Sequence, residues 1–273
     1  MREILHVSDI HFGPYHQPRV ARALIDLIEN RRPALLVVSG DLTQRAKPRQ
    51  FRQAKDYLDA VPVPVLAVPG NHDVPLYRVW ERVFTPYGAY RHHFSEELEP
   101  VYRDSEMVVV GVNTAFNWTF KGGRIRASQL ARAVREFEQS DGMSFKVAVL
   151  HHPLVPAPRF GDQKVVLNAD ETVERLTAAG VDLVLSGHLH QAYAGWSKEY
   201  YSDGDGEMVL VQSGTSSSSR GRGRERGRNS ANWLTLEADK ITVSHLFFDA
   251  AKGRFFEHRR QVFGRGPAVL ETT

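Results

Sequence analysis

The sequence predicts an α/β fold: two packed, mixed β-sheets flanked by helices, a four-layer αββα sandwich. Three observations lead there. Apolar β-like runs alternate with amphipathic helical patterns from residue 4 to residue 186, as in parallel strands covered by helices. Beyond residue 207 the β-like runs follow one another through Gly, Asp, Lys or Arg turns, which reads as an antiparallel meander forming a second sheet. The chain has 273 residues, enough for one large domain with a sizeable core.

The elements follow in order. Residues 4–9 form a short apolar run, and residues 18–30 carry Val20, Leu24, Leu27 and Ile28 at helical spacing. Residues 34–41 (ALLVVSGD) read as a buried strand, 50–60 as a helix, 63–68 as a third strand and 76–84 as a helix. Residues 106–113 (EMVVVGVN) are a further strand. Residues 128–139 start well as a helix, with Ser128 as N-cap and Leu130, Val134 and Phe137 on one face. A strand over 145–150, a helix over 169–179 and a strand over 181–186 complete the alternating part. The late strands are 208–212, 233–237, 241–248 and 255–262. No linker splits the chain, so we expect a single domain. Residues 1–195 form its motif-bearing α/β part, and 196–273 its C-terminal meander with a mobile Gly/Ser/Arg loop at 216–230.

Composition is that of an ordinary globular protein, with 42% apolar and 25% charged residues. No apolar run is long enough for a transmembrane helix, and the N-terminus lacks the apolar stretch of a secretory signal. With no Cys there is neither a disulfide framework nor a thiolate metal site. A cytoplasmic location is therefore expected, with no membrane partner. The net charge of +3 is local: residues 216–230 hold five Arg and one Glu, so the remainder is slightly acidic. Such a chain has no whole-protein field for gathering nucleic acid.

Five apolar strands end in Asp, His or Asn: Asp9-x-His11, Gly40-Asp41, Gly70-Asn71-His72-Asp73, His151-His152-Pro153 and Gly187-His188-x-His190. In a mostly parallel sheet these ends share the carboxyl edge, where α/β folds place ligands. Strand alternation points residues i and i+2 the same way, so each Asp-x-His or His-x-His pair reaches one centre. Taken singly, each motif is ordinary turn chemistry. Together they supply oxygen and imidazole donors suited to divalent Mn, Fe, Zn or Co. The donors exceed the needs of one ion, which points to two ions about 3.5–4 Å apart, an arrangement used in phosphoryl hydrolysis.

This ordered series resembles the calcineurin-like metallophosphoesterases, from Asp9 to His190. Within that superfamily it looks most like the small bacterial cyclic-nucleotide phosphodiesterase and glycerophosphodiesterase branch. The resemblance implies that Asp9, His11 and His190 would hold a first metal, that Asp41 would bridge, and that Asn71, His151 and His188 would hold a second. His72 would stay off the metals and assist the leaving group, with Asp73 steadying it from behind. The nucleophile would be a metal-bridging hydroxide. The implied substrate is a small phosphodiester, a cyclic nucleotide or a glycerophosphodiester.

His152, Asn117 and Arg124 are candidate substrate contacts; Arg124 would suit a phosphate. His6 reads as a satisfied core histidine and His16 as a surface residue. His92 and His93 read as solvated or packing residues, His245 and His258 as structural. A nuclease or a broad phosphomonoesterase on the same site is the alternative, supported only by the Arg run. No aromatic residues interleave that run to stack bases, which weakens the nucleic-acid reading. A non-catalytic metal-binding scaffold is disfavoured because every implied ligand position is filled. The sequence is compatible with a homo-oligomer.

Overall fold

Strand alternation builds the layers. The computed structural model describes residues 1–116, 118, 122–140, 142, 144–156, 165–201 and 207–265. Its first half runs β1 (Arg2–Val7), α1 (Pro18–Arg31), β2 (Leu35–Val38), α2 (Pro48–Asp59), β3 (Val65–Ala67), α3 (Val79–Phe84), α4 (Gly88–His93), β4 (Val101–Arg103) and β5 (Met107–Gly111). It continues with α5 (Ala127–Glu138), β6 (Phe145–Val149), α6 (Ala169–Ala178), β7 (Leu183–Ser186), β8 (Tyr193–Trp196), β9 (Val209–Gln212), β10 (Ser230–Glu237), β11 (Lys240–Asp249) and β12 (Arg254–Gly264). Leu5 and Val7 of β1, with Leu36 and Val38 of β2, face α1 and α2. Ile4, Leu35 and Val37 point the other way, onto Val109, Val147, Leu185 and Val211 of the second sheet. That second sheet turns Val108, Val110, Ala148 and Val184 outward onto α5 and α6. The period of two therefore produces helix, sheet, sheet and helix in succession.

Each sheet has six strands, in orders β12-β11-β10-β1-β2-β3 and β4-β5-β6-β7-β9-β8. Both are mixed, as expected from the sequence. The meander is distributed differently, however. β9 pairs parallel with β7, and β10–β12 extend the sheet of β1 through an antiparallel β1–β10 pair. The late strands thus complete both sheets instead of forming one of their own. A short strand of four residues does not encode its pairing partner.

Helix α5 begins at Ala127, and Ser128 lies inside it. The Gln129 side-chain oxygen accepts the Arg126 backbone N–H at 2.9 Å, taking the capping role read onto Ser128. Among the described residues no helix is long and apolar enough to cross a membrane.

Candidate active site

The strand ends converge from two sheets. β1, β2 and β3 deliver Asp9, His11, Asp41 and Asn71, while β6 and β7 deliver His151, His188 and His190. The paired residues lie beyond the strands, so strand alternation is not what brings them together. Asp9, His11, Asp41, His188 and His190 all have left-handed backbones, with φ between 50° and 71°. Among the described residues they are five of the seven non-glycine residues in that region of φ, which costs free energy for an L side chain and clusters at functional sites. Gly70 is required by close approach: a Cβ there would overlap the Asp41 carboxylate and amide.

Backbone bonds lock these turns together. The Asp9 and His11 amides donate to the Gly40 and Asp41 carbonyls at 3.1 and 3.0 Å. The His188 amide donates to Asp9 Oδ2 at 3.0 Å, and the His72 amide to Asp41 Oδ1 at 2.8 Å. Each carboxylate is thereby turned so that one oxygen, Asp9 Oδ1 or Asp41 Oδ2, is buried without a hydrogen-bond partner.

Those orphan oxygens are the test of whether metal fits here. Asp9 Oδ1 lies 3.5 Å from both His11 Nε2 and His190 Nε2. Asp41 Oδ2 lies 3.7 Å from His11 Nε2, and Asp41 Oδ1 lies 3.4 Å from His151 Nε2. These gaps are too long for good hydrogen bonds. They are close to the roughly 3.0–3.5 Å that separates two donors each about 2.1 Å from one cation. Asn71 Oδ1 joins the other side, 3.1 Å from His151 Nε2 and 3.0 Å from His188 Nδ1. Burial pushes His188 down to about 4, reinforced by His151, and pushes His190 down to about 3 against the pull of Asp9. Both rings stay neutral and keep lone pairs to donate. Burial opposes charging of His151, but the Asp41 and Asp9 carboxylates outweigh it and raise that group. The buried acid–imidazole set fits divalent cations.

His72 sits beside this set. Its Nδ1 is 2.9 Å from the Gln44 carbonyl oxygen, a contact that turns Nε2 into the cleft. Burial lowers its pKa, and the Asp41 charge partly offsets that. Asp73 does not steady the His72 ring directly. Its Oδ1 accepts the Thr43 amide and hydroxyl at 2.8 and 2.9 Å, and its Oδ2 accepts the Gly70 and Leu42 amides at 2.9 and 3.1 Å. It clamps the turn after β3 onto the turn after β2.

Of the other candidates, His152 is fully buried, with Nδ1 2.8 Å from Thr114 Oγ1 and Nε2 unpartnered beside His151 and His188. Arg124 is exposed and does not line the cleft, and Asn117 lies outside the described residues. His6 is a buried histidine 2.9 Å from Ser39 Oγ. His16 is half-buried and stacked on Phe12, where the sequence reading put it at the surface.

The 216–230 segment departs most from expectation. Ser216, Ser217 and Ser218 are buried, and Ser216 Oγ accepts the Ser8 amide at 2.9 Å. The segment crosses the site and sets Arg220 Nη1 3.2 Å from His72 Nε2 and 3.3 Å from Gln44 Oε1. The reading of a solvated loop missed this, and nothing in its composition marks the contact. The resulting cleft, about 250 Å³, is lined by Asp41, Asn71, His188 and His190 with His72, and by Gln44, Arg45, Arg220, Arg222, Val74 and Leu76.

Known proteins are similar to this chain to different depths. A probable cyclic nucleotide phosphodiesterase of Synechococcus sp. is 28% identical over 202 residues, covering 70% of this chain and 74% of that one. A glycerophosphodiester phosphodiesterase of Enterobacter lignolyticus is 31% identical over 80 residues, 26% of this chain and 29% of that one. Among solved structures, a purple acid phosphatase from yellow lupin (Lupinus luteus) seeds superposes with a TM-score of 0.71 at 12% identity. That match covers 97% of this chain and 54% of the lupin chain, and it shows the fold alone. The family model for calcineurin-like phosphoesterase matches residues 2–192, which hold every strand end that meets in the cleft. The chain belongs to the calcineurin-like phosphoesterase family.

Proposed function

We propose that the chain is a metal-dependent phosphodiesterase, hydrolysing small phosphodiesters of the cyclic-nucleotide or glycerophosphodiester type. The observation that carries this is the orphaned pair Asp9 Oδ1 and Asp41 Oδ2 facing imidazole nitrogens, with His72 Nε2 beside them. Asp9, His11 and His190 would hold one divalent cation, and Asn71, His151 and His188 a second. Asp41 faces both groups, with Oδ2 toward His11 and Oδ1 toward His151, which supports a bridging role. When bound, the cations would supply Lewis-acid polarisation of the phosphoryl oxygens and a water nucleophile active near neutral pH.

The chain's own groups do the rest. The Gln44 carbonyl orients the His72 ring, so that Nε2, when protonated, donates to the departing oxygen. Arg220, a half-buried guanidinium above the metal set, offers N–H donors to the phosphoryl oxygens. The names of the Synechococcus and Enterobacter relatives support a diester substrate. The test is a substrate panel on cation-reconstituted protein: 3′,5′- and 2′,3′-cyclic nucleotides, glycerophosphodiesters, a chromogenic diester and monoester pair, and single-stranded DNA. Preferential turnover of small diesters is expected. Turnover confined to monoesters, or none on any ester, overturns the proposal.

A further inference from the structure

The outer wall of the cleft is made of guanidinium groups. Arg45, Arg220 and Arg222 all line it. Among the described residues none of the three forms an ion pair within 4 Å. Arg220 rests instead against partners other than carboxylates: His72 Nε2 at 3.2 Å, Gln44 Oε1 at 3.3 Å and His11 Nε2 at 3.4 Å. Arg45 lies to the His72 side, with Nη1 3.2 Å from His72 Nδ1 and 3.1 Å from the Gln44 carbonyl oxygen. Arg222 lies to the other side, where its backbone amide reaches the His190 carbonyl and its charge bears on His188 and His190.

Arg220 and Arg222 leave a braced segment. The Ser218 carbonyl accepts from Asn229 Nδ2 at 2.8 Å. Glu225, buried, accepts the Ser230 hydroxyl and the Ala192 amide, each at 2.6 Å. The backbone that carries Arg220 and Arg222 is therefore ordered before any ligand arrives, which lowers the ordering cost of binding.

Charge decides what the wall suits. Two divalent cations more than balance Asp9 and Asp41, so the metal centre alone already neutralises a diester's single negative charge. Three further guanidinium groups without carboxylates are an excess for a simple cyclic nucleotide. Resting on the phosphodiesterase reading, we propose that the cleft takes a diester bearing a second anionic group, a phosphomonoester close to the scissile phosphate. Arg220 meets the scissile phosphoryl group, and Arg45 and Arg222, flanking it on opposite sides, offer the second phosphate a guanidinium on whichever side it extends.

The test compares thymidine 5′-(p-nitrophenyl phosphate) with the same ester carrying a 3′-phosphate, in wild type and in the double variant R45M/R222M. Calorimetry on metal-free protein adds a readout independent of turnover, comparing thymidine 3′,5′-bisphosphate with thymidine 5′-monophosphate. Charge-assisted hydrogen bonds predict that the second phosphate improves affinity and kcat/KM by about 10–100-fold in wild type. The double variant should lose most of that ratio, and R45K/R222K should keep part of it. Equal affinity for the two nucleotides, or an undiminished ratio in R45M/R222M, overturns the inference. Normal turnover of the simple diester with no bisphosphate preference defeats the subsite and leaves the phosphodiesterase reading standing. A bisphosphate preference without turnover of either ester does the reverse.

Discussion

Replacing Asp73 by alanine removes the acceptor of four hydrogen bonds at once: the amides of Leu42, Thr43 and Gly70 and the Thr43 hydroxyl. The hydroxyl has a second acceptor, the His72 carbonyl oxygen at 3.2 Å, so it is not stranded. The three amides are, because Asp73 and its surroundings are buried. At about 1–3 kcal/mol for each unsatisfied buried donor, the expected loss is about 3–9 kcal/mol. That is comparable to the whole stability of a typical domain, about 5–15 kcal/mol. Asp73→Asn is milder. With its carbonyl toward Leu42 and Gly70 and its NH2 toward Thr43, only the Thr43 amide is lost, and about 1–3 kcal/mol is expected. Urea unfolding of both variants measures the two losses. Asp73→Asn, still folded, should keep the wild-type dependence of rate on leaving-group pKa, because Asp73 does not contact the His72 ring. Asp73→Ala within about 1 kcal/mol of wild type would refute the clamp, since no orphaned amides of that number escape so lightly.

Other substitutions separate the roles. His72→Ala should retain cations while turnover falls by about 10²–10⁴-fold, most with poor leaving groups; simultaneous loss of metal and activity would contradict the assignment. Asp41→Ala should lose both cations by elemental analysis, and retention of a full pair would remove its bridging role. His6 is pushed down to about 3 by burial, from an ordinary 6.5. A depressed folded pKa contributes stability that is present above pH 6.5 and lost as pH falls toward 3. His6→Gln should therefore flatten the stability–pH slope in that window by up to about 1.4 kcal/mol per pH unit. An unchanged slope would show that His6 does not carry the linkage.

The residues that meet in the site were legible because each follows an apolar run directly, and five such endings in order point to one place. Their geometry was not legible. Left-handed backbones at Asp9, His11, Asp41, His188 and His190 do what strand alternation was expected to do. Asp73 was recognised by position and misread in action, because its four partners sit 30 or more residues away or across a turn. The Arg wall was missed for a related reason. A Ser- and Gly-rich composition is read as solvated, yet small side chains also let a segment pack tightly beneath its neighbours, as Ser216–Ser218 do. Only the folded chain brings Arg220 to His72 across 148 positions. Likewise, a four-residue strand at Val209–Gln212 could not announce a parallel partner.

Cation-titrated turnover is the most direct measurement of the proposed chemistry. Metal-free protein is titrated with Mn²⁺ or Zn²⁺ while hydrolysis of bis(p-nitrophenyl) phosphate is followed. Activity absent without cation, saturating near two equivalents per chain and abolished by chelation, is the predicted result. Full turnover after complete cation removal, or saturation at one equivalent, would contradict it.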